Sequence, residues 1–176
     1  MLTHLETLAA LNLCEGDFRA CFLLPALIFI GANSNIESDI DLVKKAPSPW
    51  TIRVPNPQKV ITQNAKNSHV FFLEKTRNNM TSGIAIGRDA TNDLVIDVPT
   101  VSKSHCVLVK PHGSPWYLID CNSSNGTKID GKLVAGGKPH LLRDNSKITF
   151  ANEIDAKFHM PGGLWTLINQ CRGLDG

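Results

Sequence analysis

Five polar side chains stand between short apolar runs rather than along them: Arg88, Ser102, Lys103, Ser124 and Asn125. Together their types make a receptor for a dianionic cluster of oxygens. A guanidinium such as that of Arg88 can bond two phosphate oxygens at once through its planar fork. Ser102 adds a neutral donor and Lys103 a point charge. The amide of Asn125 both gives and accepts, which suits a peptide backbone lying beside the anion. A phosphoryl group, carrying about −1.5 to −2 charge at neutral pH, is the ligand this set favours. The nearby Ser102, Ser104 and His105 do not make a hydrolase. In an extended segment, residues three apart are separated by ~10 Å and point to opposite faces, and no G-x-S-x-G elbow occurs. The chain is therefore read as a binding protein and not as an enzyme.

The elements that must position these residues follow from the spacing of apolar runs. Val70–Leu73, Ile84–Ile86, Leu94–Ile96, Cys106–Val109, Trp116–Ile119, Lys147–Phe150 and Leu164–Leu167 recur at short intervals, with Gly, Asn, Asp, Ser and Pro between them. Many short strands with turn chemistry between them predict an all-β, two-sheet antiparallel sandwich. Loops at one end of such a sandwich cluster in space, which makes them a natural binding surface on a rigid scaffold. Trp116 and Trp165 are expected to pack in the core or at a sheet edge.

The order Gly87-Arg88, Asn92-Asp93-Leu94, Ser102-Lys103-Ser104-His105 and Ser124-Asn125-Gly126-Thr127, with Leu142, Asp144 and Ile148 beyond it, resembles the forkhead-associated (FHA) family over about 100 of the 176 residues. The resemblance implies a sandwich of about eleven strands whose loops read phosphothreonine. It assigns the phosphate to Arg88 and Ser102 with help from Lys103, and the flanking peptide to Ser124 and Asn125. Gly87, His105, Gly126 and Thr127 would shape the loops. The sequence departs from the family pattern in places. Lys103 stands where arginine is commoner, so a forked contact becomes a single-point one. Asp130-Gly131 replaces an Asn-Gly turn and should make the same tight hairpin. Asn145 and Ala151 stand where glycine is typical; asparagine tolerates a left-handed backbone, whereas alanine is strained there.

Four zones are expected: a partly helical apolar segment over 1–32, a Pro-rich linker over 33–67, the sandwich over 68–168 and a tail over 169–176. Leu2, Leu5, Leu8, Ala9 and Leu13 share a helical face, and Gly16 is the expected stop. The apolar run Ala20–Ala32 is shorter than the ~20 residues that cross a bilayer and lacks a basic flank. It reads as a buried core segment. A net charge of +2 without a Lys/Arg stripe gives no footprint for nucleic acid. Five cysteines at wide spacings and six scattered histidines give no metal site, and no cofactor is expected. Unstapled cysteines point to a reducing, cytoplasmic setting. The expected partner is a phosphothreonine-containing protein. The alternative keeps the fold as an interaction or oligomerisation domain that needs no phosphate and docks through Leu23–Ile30.

Overall fold

The computed structural model describes residues 2–4, 13–29, 51–52, 69–75 and 82–173. Thirteen strands are found among them: β1 Leu2–His4, β2 Ala26–Phe29, β3 Thr51–Ile52, β4 His69–Phe72, β5 Ile84–Gly87, β6 Leu94–Ile96, β7 Cys106–Val109, β8 Tyr117–Asp120, β9 Thr127–Ile129, β10 Lys132–Leu133, β11 Pro139–Leu141, β12 Ser146–Phe150 and β13 Ile154–His159. Two helices, α1 Glu15–Cys21 and α2 Pro161–Gly173, complete the set. The strands form a seven-stranded sheet, β1-β4-β2-β13-β12-β9-β10, and a six-stranded sheet, β11-β8-β7-β5-β6-β3. The two-sheet sandwich is thus as expected.

Pairing is antiparallel except where β6 runs parallel to both β5 and β3. β5 and β6 are joined by residues 88–93 alone, too short for an ordinary parallel crossover. The fully buried carboxylate of Asp93 helps to hold this unusual pair. It accepts the Ala85 N–H at 2.9 Å and the Lys75 ammonium at 2.8 Å, and Lys75 also donates to the Gly83 carbonyl. A buried charge with a close cation and a backbone donor is compensated; one without them would not be tolerated.

Apolar side chains fall into two clusters. Leu27, Phe29, Phe71, Ile86, Leu94, Leu108, Leu118, Ile148, Phe150 and Phe158 fill the space between the sheets. Ala26, Ile28, Val70 and Phe72, from the same strands β2 and β4, point outward and are covered by Phe18 of α1 and by Leu164, Ile168 and Cys171 of α2. Alternate residues of β2 therefore enter different cores. That is why its run is continuously apolar rather than alternating.

Several boundaries differ from the sequence reading. Leu2–His4, expected in a helix, is a strand paired with β4; 5–12 lie outside the described residues. The helix comes later, with Cys14 at its N-cap, and Gly16 lies inside it. After the helix and a short connection ending at Pro25, β2 is seated between β4 and β13 in the sheet. The sandwich thus takes three strands, β1, β2 and β3, from before residue 68. Among its described residues the docking segment proposed for oligomerisation is largely internal: residues 25–29 are buried, and Leu23 and Leu24 are exposed. Of the linker, Thr51–Ile52 forms the edge strand β3, and most of the rest lies outside the described residues.

Leu164–Leu167, read as a strand, belongs to α2, which also takes in most of the expected tail. A short apolar run fits either period. Here Pro161 starts the helix, as proline favours at a first helical position, and Leu164, Ile168 and Cys171 share its buried face. Asp144 anchors the start of α2 by accepting the Met160 N–H at 2.7 Å. Its carboxylate lies so near Gly163 that a Cβ there would sit 2.1 Å from an oxygen. Among the described residues, no helix is long and apolar enough to cross a membrane.

Candidate functional site

The loops after β5, β6 and β8 are bonded into one unit. At the end of β5, the Arg88 N–H donates to the Ser102 carbonyl at 2.9 Å, and Asp89 N–H donates to that of Lys103 at 3.1 Å. This approach requires Gly87, because a Cβ there would stand 2.4 Å from the Lys103 oxygen and 2.9 Å from the His105 nitrogen. Asn92, buried, adds two side-chain bonds, to the Asp89 carbonyl at 2.8 Å and the Lys103 carbonyl at 2.7 Å. Its role is to tie these loops together.

His105 links three segments. Its N–H donates to Ile86, its carbonyl accepts from Cys121, and its ring Nδ1 accepts the Ser102 N–H at 3.2 Å. That last bond requires Nδ1 to be unprotonated. Burial pushes the imidazole below its ordinary range, although Asp120 pulls the other way. The ring meets Phe150 edge-on, 5.8 Å between centroids. The loop-shaping role expected of His105 has this geometry.

The loop after β8 depends on a residue the sequence reading missed. Asp120, almost fully buried, accepts from the Ser123 N–H at 2.8 Å, the Ser123 hydroxyl at 2.7 Å and the Thr127 hydroxyl at 2.5 Å. Burial alone would raise its pKa, but the bonds from Thr127 and Ser123 outweigh that and hold the carboxyl below the usual range. The signal was the Asp-x-x-Ser spacing, in which an acid bonds its own chain three residues on. Gly126 follows at φ 73°, with Leu133 packed where a side chain would lie.

Within this frame the expected site residues come together. The Ser124 N–H donates to the Ser102 hydroxyl oxygen at 3.0 Å, and the two hydroxyl oxygens are 3.5 Å apart. The Asn125 amide donates to the Thr100 carbonyl at 2.8 Å. Arg88 turns toward the same loop, its Nε donating to the Val101 carbonyl at 3.2 Å. The Ser102 hydroxyl donates only a long 3.5 Å bond to that of Ser124, which a ligand oxygen can replace, Asn125 keeps its side-chain carbonyl and one N–H, and Arg88 keeps its two terminal nitrogens. Lys103 projects as an exposed side chain. Neither cation forms an ion pair with a described residue. Asp89 is the nearby acid: the Thr91 backbone and hydroxyl bonds hold its carboxyl below the usual range, and Lys103 and Arg88 lower it further. The arrangement can take an anion with several oxygens at Arg88 and Ser102, and extended backbone at Asn125.

Residues 84–151 match the family model described as the FHA domain. This stretch of the chain is similar to the FHA domain. The match contains every residue of the loop cluster just described. A curated relative, a probable serine/threonine-protein kinase from Dictyostelium discoideum (fhkA), is 35% identical over 102 residues, which is 52% of this chain and 16% of the relative. The chain thus spans about a sixth of that protein's length. Among solved structures, EmbR from Mycobacterium tuberculosis in complex with a low-affinity phosphopeptide is 27% identical with a TM-score of 0.41, over 47% of this chain and 21% of that one. The N-terminal FHA domain of Rad53p from S. cerevisiae, in complex with a phosphothreonine peptide, is 18% identical with a TM-score of 0.44, over 52% of this chain and 83% of that one.

Proposed function

We propose that this chain binds phosphothreonine-bearing segments of partner proteins in a pathway driven by Ser/Thr kinases. In this reading Arg88 and the Ser102 hydroxyl hold the phosphate, Lys103 adds charge at its rim, and Ser124 and Asn125 hold the flanking peptide. The observation that carries the proposal is the junction at Ser102. Its hydroxyl is oriented by the Ser124 N–H, its carbonyl holds the Arg88 backbone, and its N–H is held by His105. Preset donors of this kind bind without being reorganised first, which raises affinity. The FHA match over 84–151 supports the choice of ligand.

The test is calorimetric titration of the full chain with a phosphothreonine peptide library and its unphosphorylated twins. Only phosphorylated peptides should bind. Arg88→Ala should weaken binding by about a hundredfold, the loss expected for two charge-assisted hydrogen bonds, while the unfolding temperature stays near that of the parent. Retained binding in Arg88→Ala, or equal binding of the two twins, would sink this assignment. The phosphate-independent alternative is weakened by the burial of residues 25–29, and truncation to 60–176 would remove β2 from the sheet rather than expose a docking surface.

A further inference from the structure

The turn between β12 and β13 lies against the candidate site. Three residues, Ala151 to Glu153, join the strands, and the Glu153 N–H donates to the Phe150 carbonyl at 3.0 Å to close a tight turn around the first two. Both central residues are left-handed, Ala151 at φ 52° and Asn152 at φ 61°. Two positive φ values are the hairpin geometry that glycine and asparagine favour, and a left-handed alanine costs roughly 1–2 kcal/mol. Three bonds hold the turn where it is. Ala151 N–H donates to the Gly126 carbonyl at 3.0 Å, the Asn152 amide reaches the Asn125 carbonyl at 3.4 Å, and the Thr100 hydroxyl donates to the Glu153 carboxylate. The turn thus braces both peptide-facing loops and leaves an exposed carboxylate at their rim. Glu153 forms no ion pair with a described residue.

The loop after β6 consequently has two poles. At Val101 and Ser102 it meets the Arg88 guanidinium and offers the hydroxyl assigned to the phosphate. At Thr100 it meets the Glu153 carboxylate. Thr100 lies in a turn closed by the Val101 N–H donating to the Val98 carbonyl at 2.9 Å, so it stands at most ~7 Å from Ser102, the reach of two extended residues. A peptide lying extended across the same loop would put a side chain two to four positions from the phosphothreonine beside Glu153. We infer that Glu153 makes the site selective for phosphothreonine peptides carrying a lysine or arginine at that distance. The inference rests on the phosphothreonine reading and narrows its ligands to a dipolar motif, a phosphate at one end and a cation at the other.

Thr100 could simply use Glu153 as a structural acceptor, so the deciding variant is Glu153→Gln, which keeps an acceptor oxygen for Thr100 and removes the charge. Phosphothreonine peptides with Ala, Lys or Glu placed in turn at each of the four positions on either side of the phosphothreonine are titrated by fluorescence anisotropy at low salt. With the parent chain, Lys at one such position should bind about threefold tighter than Ala, as an exposed ion pair allows, and Glu there should bind more weakly. The preference should shrink at high salt. The ratio of Lys-peptide to Ala-peptide affinity within each protein, in which any change common to all phosphopeptides cancels, should fall to one in Glu153→Gln and below one in Glu153→Lys. A preference that survives in Glu153→Gln, or phosphate-dependent binding with no charge preference at any position, overturns this inference and leaves the phosphothreonine reading standing. Equal binding of phosphorylated and unphosphorylated peptides overturns both.

Discussion

The loop end of the sandwich and its helix-covered flank are held by opposite kinds of force. At the loop end, polar side chains are fixed by hydrogen bonds to backbone: His105, Asn92, Asp120 and Asn125 each tie one loop to another or to itself. On the flank, Phe18 lies 4.7 Å from Phe22 and 5.2 Å from Trp165, ring centre to ring centre, Phe22 stacks on Phe72 at 5.1 Å, and the Arg172 guanidinium lies 5.2 Å from the Trp165 ring centre. The family match covers the first region and stops short of the second. Strands β1, β2, β4 and β13, four of the seven in their sheet, lie outside 84–151. The contrast separates a surface built for directional contacts from a layer that only has to exclude water. Hydrogen bonds set position to a few tenths of an ångström, whereas burial is roughly proportional to area and indifferent to direction.

The contrast breaks most clearly at Phe18, which is 1% exposed. Phe18→Ala should cost about 3–5 kcal/mol of stability by urea unfolding, while peptide affinity per folded molecule is unchanged. A loss below about 1 kcal/mol would show that the flank is not part of the cooperative unit.

Acid should act on both regions in turn. Burial lowers the pKa of His105 at the loop end. It also lowers that of His159 beside the flank, where Asp144 raises it in opposition and Lys157 lowers it further. Each ring therefore binds fewer protons folded than unfolded, so stability rises with pH up to about 6.5 and is lost as pH falls below it, by at most ~1.4 kcal/mol per pH unit for each ring. Asp120, also held low, keeps its contribution above a pH of about 3.9 and loses it as pH falls further. Unfolding midpoints across this range, compared with those of His105→Asn, should show the first step reduced in the variant. An identical profile would count against the buried neutral ring.

The smallest effect is expected at Lys103. If Lys103 stands at the rim of the proposed phosphate site, Lys103→Arg offers a forked contact there and should tighten phosphopeptide binding by about threefold without changing stability. Unchanged affinity would place this side chain outside the site.

Much of the loop end could be read from residue types. Arg88, Ser102, Ser124 and Asn125 were legible because their order and turn chemistry are local, and the structure joins them through Ser102 and Thr100. Left-handed backbone at Asn145 and Ala151, and the Asp130-Gly131 hairpin, were legible through the family resemblance, which marks where glycine or an Asn-Gly turn is usual. The supporting residues were harder. Asp120 and Asn92 act by bonding backbone groups whose positions depend on which loops meet, and Glu153 acquires meaning only when its turn lies against Thr100.

The flank was the least legible part. Leu164–Leu167 satisfies strand and helix periods alike, and only Pro161 and the outward faces of β2 and β4 decide for a helix. Leu2–His4 opens a run with helical spacing yet pairs with β4 as an antiparallel strand, a choice set by the distant segment it meets. The sequence by itself determined the strand rhythm, the turn geometry and the set of phosphate-type donors, all properties of neighbouring residues. The tertiary structure alone decided that residues 26–29 belong in the sheet, that two helices cover it, and that an acid stands at the rim of a basic site. Those outcomes depend on which distant surfaces meet, and a one-dimensional pattern does not carry that information.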